Sequence, residues 1–415
     1  MKPDRDSNPT RRAVLASALS TCALATGALA TSPLPALAQT AQQTFEQWVA
    51  AFRPRALKRG ISAATYNRVM GGVQPDMGVF ALQRSQPEFR EQLWQYLNRR
   101  VSDWRIATGK ERLRDVGPLL ARLEKEFGVA PAILLGLWGM ETAFGDPVVH
   151  QNHMRPVIPA LAALAWGEPR RRAYWETELL NALLIIERGW STPQEMRGSW
   201  AGAMGHTQWM PEVWLNIGFD YDGDGRASPF GKPDDALAGT CKYLLQRGRY
   251  RRGEPWGFEV RAASATGGAR SYAAWQQLGV VRADGKPYPV LNANAKLWIP
   301  VAGGPAFLIG QNFEAVKSYN PSMNYALAIC HLGDRILGGA PFVQTFPGSE
   351  RAPTLAEVQE IQKRLTSLGF DTKGSDGRVG LATMKAVQDY QRKVGMQPAD
   401  GYAGVKLLAR LRQGL

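Results

Sequence analysis

Residues 137–145, Leu137-Trp138-Gly139-Met140-Glu141-Thr142-Ala143-Phe144-Gly145, decide how this chain reads. Upstream, Pro131 fits the first turn of a helix, where its missing N–H has no partner to lose, and Gly128 can close the helix before it. The spacing predicts a helix that starts at Pro131 and carries Glu141 about ten residues in. Leu134, Leu137 and Trp138 lie seven, four and three residues before Glu141, so a 3.6-residue period places all four on one face. A carboxyl among apolar neighbours loses hydration of its ionised form, which predicts a raised pKa. Such an acid can hand a proton to a glycosidic oxygen near neutral pH. A half-buried glutamate matched by an arginine fits the same spacing.

The 415 residues hold 50 Lys and Arg against 36 Asp and Glu, a net charge of +14, within an ordinary globular composition of 21% charged and 45% hydrophobic residues. That length gives room for more than one domain and a sizeable core. The basic excess favours polyanions, anionic walls and membranes. Residues 1–38 read as an export signal of the twin-arginine type. Arg11 and Arg12 precede an Ala-rich apolar run from Ala13 to Ala30, and Ala36-Leu37-Ala38 before Gln39 fits a cleavage site. Export argues against nucleic acid as a partner and predicts a soluble periplasmic protein. Apolar sequence continues past Cys22, which argues against lipidation, and no other stretch is long and apolar enough to span a bilayer. Cleavage leaves Cys241 and Cys330, both in apolar helical patterns, so a disulfide and two buried thiols stay open.

Phe45 to Phe127 reads as helical, with Trp48, Phe52 and Leu57 inward early and Leu93, Trp94 and Leu97 later. Further helices are expected at Ala160–Trp166, Ala173–Arg188 and Asp235–Arg247. The stretch Ser199–Pro211, SWAGAMGHTQWMP, sets Ala201, Gly202 and Gly205 among polar and aromatic residues. Small residues there let the backbone approach a ligand closely; a glycine-rich connector fits as well. Asp220–Ser228, DYDGDGRAS, places oxygens at the first, third, fifth and ninth positions and Gly225 at the sixth, which is how a calcium loop begins. Its twelfth position is Gly231 rather than a glutamate. Asp234 or Asp235 then closes an enlarged loop, or the segment is an acidic turn without metal. Glu254–Pro300 suggests a small sheet or irregular subdomain, and Phe313–Leu337 returns to helix. Tyr319, Asn320 and Tyr325 cluster near the start of that helix, core tyrosines being the plain alternative. Pro341–Pro353 is linker-like; beyond it Val358, Ile361, Leu365 and Leu368 form a stripe, and DGxxG occurs at Asp376–Gly380 and Asp400–Gly404.

In this order GMETAFG, SWAGAMGHTQWMP, DYDGDGR and YN with a downstream tyrosine resemble the B family of lytic murein transglycosylases. The tail, VQEIQKRLTSLGF, DGRVGLATMKAVQDYQ and a second DG, is similar to the peptidoglycan-binding module of wall-acting proteins. The resemblance spans nearly all of the mature chain and implies a mainly α fold. A lysozyme-like catalytic domain over residues 39–340, with extra helices and a small mixed subdomain, leads through a linker at 341–353 to a three-helix peptidoglycan-binding domain at 354–415. The implied activity is cleavage of the MurNAc–GlcNAc β-1,4 linkage without water, giving 1,6-anhydroMurNAc ends, with Glu141 as acid and then base. Substrate residues fall on Ser199, Gln208, Met210, Tyr243, Tyr319, Asn320 and Tyr325 and, in looser motifs, on Tyr96 and Tyr174. Calcium ligands fall on Asp220, Asp222, Asp224, the carbonyl of Arg226 and Asp235, with one residue inserted before Asp235 relative to the family. No cofactor is implied beyond a structural calcium ion. The implied partners are peptidoglycan glycan strands and other cell-wall enzymes, for a monomeric protein. The rival readings are a hydrolytic muramidase with the same fold and acid, a noncatalytic wall-binding protein, and a calcium sensor, which one irregular loop supports poorly.

Overall fold

The computed structural model describes residues 43–84, 91–145, 154–262 and 268–414; the expected export signal over residues 1–38 lies outside them. Thr44 caps α1 (Phe45–Lys58) by accepting from Gln47 N, and Ser62 caps α2 (Ala63–Met70) by accepting from Thr65 N. After α3 (Gly78–Arg84) and α4 (Leu93–Arg100), Ser102 does the same for α5 (Asp103–Phe127), which Gly128 ends in the left-handed conformation at φ 68°. Pro131 opens α6 (Pro131–Thr142), as the spacing predicts. Next come α7 (Val157–Gly167), α8 (Arg172–Glu187) and α9 (Pro211–Asn216), with β1 (Arg155–Pro156) paired antiparallel to β2 (Arg197–Gly198).

α10 (Asp234–Gln246) leads into a small antiparallel sheet of β3 (Gly257–Arg261), β4 (Arg270–Ser271), β5 (Val281–Arg282), β6 (Asn294–Trp298) and β7 (Ala306–Gly310), ordered β4-β6-β7-β3-β5. α11 (Tyr272–Gln277) follows β4. The single helix expected at Phe313–Leu337 is two, α12 (Gln311–Lys317) and α13 (Met323–Ile336). Pro321 has no N–H to continue the ladder between them, and Ser322 Oγ caps the second by accepting from Tyr325 N. α14 (Leu355–Ser367), α15 (Leu381–Lys393) and α16 (Val405–Arg412) close the chain. Two predicted inward positions lie at helix edges and face solvent: Leu57 is 38% exposed while Ala56 is buried, and Leu368, a C-cap, is 49% exposed.

α6 is more than an amphipathic stripe. Every residue from Ala132 to Met140 is buried, because α5, α13 and neighbouring elements enclose the helix on all sides. Its contact with α13 is backbone to backbone: a Cβ at Gly136 would strike Ile329 O, and one at Gly333 would strike Ala132 O. A second core gathers around α7 and α8, a third lies against the sheet, and a fourth fills the space between α14, α15 and α16.

The linker-like segment is strapped down. Phe342 stacks on His331 at 3.8 Å, and Val343 N and Gln344 N donate to Glu259 at 2.7 and 2.8 Å. The last three helices are docked as well. Gln95 Nε2 donates to Asp400 Oδ2 at 2.6 Å, Asn98 Nδ2 donates to the Tyr402 hydroxyl at 2.8 Å, and the Arg378 guanidinium lies 4.4 Å from the Trp104 ring. Thr44–Leu415 accordingly forms one unit. Cys241 and Cys330 are free, buried thiols, and burial holds both above their ordinary pKa. Among the described residues, no helix is long and apolar enough to cross a membrane.

Candidate active site

Glu141 is the next-to-last residue of α6 and is half-buried where the helix before it is buried. The chain then leaves the helix abruptly, with φ of 50° at Ala143, 63° at Phe144 and 72° at Gly145. For a residue with a Cβ this left-handed backbone costs about 1–2 kcal/mol, so its surroundings must hold it there. The Ser199–Pro211 loop supplies part of that hold. Thr142 Oγ1 donates to His206 O at 2.6 Å and accepts from Gly145 N at 3.2 Å. The Trp138 indole donates to His206 Nδ1 at 3.1 Å. The neutral imidazole therefore carries its proton on Nε2, which donates to Gly231 O at 2.7 Å.

Tyr325 makes the direct contact with the acid, its hydroxyl donating to Glu141 Oε1. Burial first, then the charge of Glu141, push this phenol well above its ordinary pKa, so it remains a donor through the neutral range. Tyr319 is raised chiefly by burial, with Glu141 again contributing. Its hydroxyl donates to Thr207 O at 3.2 Å, and Tyr243 donates to Ser318 O at 3.0 Å, their rings meeting edge to face at 4.7 Å. Both hydroxyls thus donate to backbone carbonyls, which fixes the two rings relative to one another.

The other expected substrate residues are built into the same frame. Asn320 Oδ1 accepts from Ser322 N at 3.2 Å and so shapes the start of α13. Ser199 Oγ accepts from Ala203 N at 3.2 Å; Gln208, at φ 54°, donates through Nε2 to Gly205 O at 3.1 Å; Met210 is the N-cap of α9. Tyr96 is buried at 3% exposure and lies close enough to Tyr325 to raise its pKa further. Tyr174 packs on Arg171 and Trp175, and Trp175 reaches Trp200 beside Ser199 at 6.4 Å. The small residues of this loop serve the protein's own packing: a Cβ at Gly205 would strike Pro229 O, and one at Gly202 would meet Leu161 Cδ2 at 2.8 Å. Packing alone therefore accounts for glycine at these two positions, in keeping with the connector reading. His206, Thr142 and Thr207 were not singled out in the sequence, although His206 stands inside the quoted GHTQW.

At the acidic loop, carboxylate oxygens of Asp220, Asp222 and Asp235 lie within 4.8 Å of one another. Asp220 accepts from Gly223 N and Gly225 N at 2.7 and 2.8 Å, and Asp235 from Tyr221 N and Ser228 N at 2.7 and 2.9 Å. Burial, with the nearby Asp222 charge, holds the Asp235 carboxyl above its usual range against those hydrogen bonds. Converging hard oxygens, one of them desolvated, fit calcium. Of the two candidates to close the loop, Asp235 turns inward and Asp234 pairs with Arg122 at 3.7 Å. Asp224 accepts from Arg226 N at 2.9 Å and stands outside the convergent group.

Residues 44–334 match the family described as Transglycosylase SLT domain, and residues 354–411 match a peptidoglycan binding domain. The sequence is 28% identical over 230 residues to the membrane-bound lytic murein transglycosylase B of Escherichia coli K12, a match covering 52% of this chain and 60% of that protein, less than two thirds of its length. The crystal structure of SltB3 from Pseudomonas aeruginosa in complex with NAG-anhNAM-pentapeptide is similar at 38% identity and a TM-score of 0.68, over 89% of this chain and 100% of that one. The lytic transglycosylase Slt35 of Escherichia coli in complex with calcium, 23% identical, shares the fold at a TM-score of 0.59 over 72% of this chain and 94% of that one.

Proposed function

The chain belongs to the transglycosylase SLT domain family, and on that premise we propose that it is a lytic transglycosylase cleaving the MurNAc–GlcNAc linkage of peptidoglycan to leave 1,6-anhydroMurNAc ends. Glu141 acts twice. Protonated, it gives its proton to the glycosidic oxygen as the bond from C1 to that oxygen breaks. As carboxylate, it takes the proton of the muramoyl C6 hydroxyl while that oxygen bonds to C1, which restores the acid. An intramolecular hydroxyl has the proximity advantage over water, so the second carboxylate of hydrolysing glycosidases is not needed. Tyr325, donating to Oε1, steadies the carboxylate between the two steps and leaves the transferred proton to Oε2.

The reading is carried by a half-buried carboxyl at the end of a buried helix, with a phenol donor on one oxygen and the Ser199–Pro211 loop fixed beside it. The anhydro ligand in the SltB3 complex is of the product type expected here. Ser199, Gln208, Met210, Tyr243, Tyr319 and Asn320 line the glycan cleft in this account, with Tyr96 behind Tyr325 and Tyr174 farther out. Asp220, Asp222 and Asp235 would hold calcium, assisted by Asp224 and the Arg226 carbonyl. The ion would brace the loop whose Gly231 accepts from His206. The C-terminal helices bind the wall, and the protein works as an exported monomer in the periplasm. Lysis of purified sacculi tests the assignment: Glu141→Gln is expected to keep the fold and glycan binding and to abolish clearing, and substantial residual turnover would defeat it.

A further inference from the structure

We infer that Arg105 is a positioning residue for Glu141, fixing the backbone that leads into the acid without touching substrate. The inference rests on the proposed role of Glu141. Arg105 stands in the first turn of α5. Its Nε donates to Gly139 O at 3.1 Å, and its Nη1 donates to Arg99 O at 3.3 Å and Arg100 O at 3.1 Å. Gly139 lies two residues before Glu141, and its carbonyl also accepts from Ala143 N, the contact that closes α6. Arg99 and Arg100 end α4, whose Tyr96 neighbours Tyr325. One guanidinium thus ties together the last turns of two helices, where unpaired carbonyls concentrate partial negative charge. Only a planar fork bonds in both directions at once; a lysine ammonium on a flexible stem would not hold the same geometry.

Gly109, one turn along the same face of α5, governs the other side of the acid. A Cβ there would meet Phe144 Cζ at 2.9 Å and the side chain of Ile336. Gly139 precedes Glu141 and Phe144 follows it, so a single face of α5 sets the chain path into and out of the catalytic residue. Arg105 keeps some exposed area, yet its guanidinium is deep enough that burial, ahead of the charges of Arg100, Arg99 and Arg378, lowers its pKa to about 9, with Tyr96 opposing. It is still a cation at neutral pH. Among the described residues it pairs with no carboxylate, and its hydrogen bonds go to backbone carbonyls.

Steady-state kinetics of full-length Arg105→Lys and Gly109→Ala on a soluble glycan, beside Glu141→Gln, test the inference. The lysine variant keeps the charge and loses the fork. Its kcat is expected to fall about 10- to 100-fold with KM about unchanged, and its pH profile of kcat to shift, which a loss of stability alone would not produce. Gly109→Ala favours the helix and crowds Phe144, so a smaller fall in kcat is expected with α5 intact. Wild-type kcat and pH profile in folded Arg105→Lys would overturn the inference; if that variant does not fold, wild-type kcat in Gly109→Ala would do so. Turnover by Glu141→Gln would instead strike the proposed reaction, so the two failures are distinguishable.

Discussion

Two regions present the candidate functional carboxylates, and they satisfy them in opposite ways. In the Asp220–Asp235 loop the oxygens converge on one another and accept from backbone N–H groups, an arrangement that presents several hard oxygens to one point. At Glu141 the carboxyl ends a buried apolar helix and accepts from a phenol, the arrangement that the proposed proton transfer uses. The difference teaches that the partner decides the chemistry: fixed amide donors and neighbouring oxygens suit a cation, whereas a hydroxyl donor beside a half-open face suits acid–base exchange. The regions are also joined, because Gly231 of the loop accepts from His206, which holds Trp138 and Thr142 beside the acid.

The sharpest way to break this comparison is to remove the phenol hydroxyl. Tyr325→Phe should lower kcat about 100-fold, the low end of the range for a positioned group in proton transfer, while Asp235→Asn assayed with calcium should leave kcat much closer to wild type. Equal losses would mean that the two carboxylate sites are not separable. Calcium sharpens the other side: at about 100 times its Kd it should stabilise the wild type by about 2.7 kcal/mol, seen as a higher Tm than in chelator, and Asp235→Asn should lose most of that difference.

A third carboxyl offers a contrast with both. Asp334 accepts from Trp256 Nε1 at 2.9 Å, and burial pushes its pKa up to about 6 from the model-compound 3.8. A raised acid pKa means the folded state holds the proton more tightly, so this contribution is present below about pH 4 and is lost as pH rises through about 6. Asp334→Asn should therefore gain stability relative to wild type at pH 7 to 8, on the order of 1–3 kcal/mol, and show little gain at pH 4 in paired denaturant titrations. The smallest effect is expected at the docked tail. Gln95→Ala with Asn98→Ala removes hydrogen bonds worth about 1 kcal/mol each and should weaken sacculus binding while leaving turnover of short soluble glycans nearly unchanged.

The Glu141 helix was legible in the sequence because its signals are local: Gly128, Pro131 and the apolar stripe of Leu134, Leu137 and Trp138. The cluster at Tyr319, Asn320 and Tyr325 was legible as a group, but the bond from Tyr325 to Glu141 spans 184 residues and has no local signature. His206 and Arg105 escaped for the same reason, since each acts across tens of residues on backbone or ring atoms. At Gly202 and Gly205 the sequence left two readings open, because a glycine records that something comes close without recording whether it is a ligand or the protein's own Leu161 and Pro229. The linker composition of Pro341–Pro353 gave no sign that Phe342 would stack on His331 or that Gln344 would bond Glu259.

Mass spectrometry of the muropeptides released from purified sacculi bears most directly on the central claim that one carboxyl directs the sugar's own hydroxyl onto C1. The account predicts muramoyl ends one water lighter than reducing ends, released by the wild type and absent with Glu141→Gln. Reducing ends as the main product of the wild type would contradict it and identify a hydrolase.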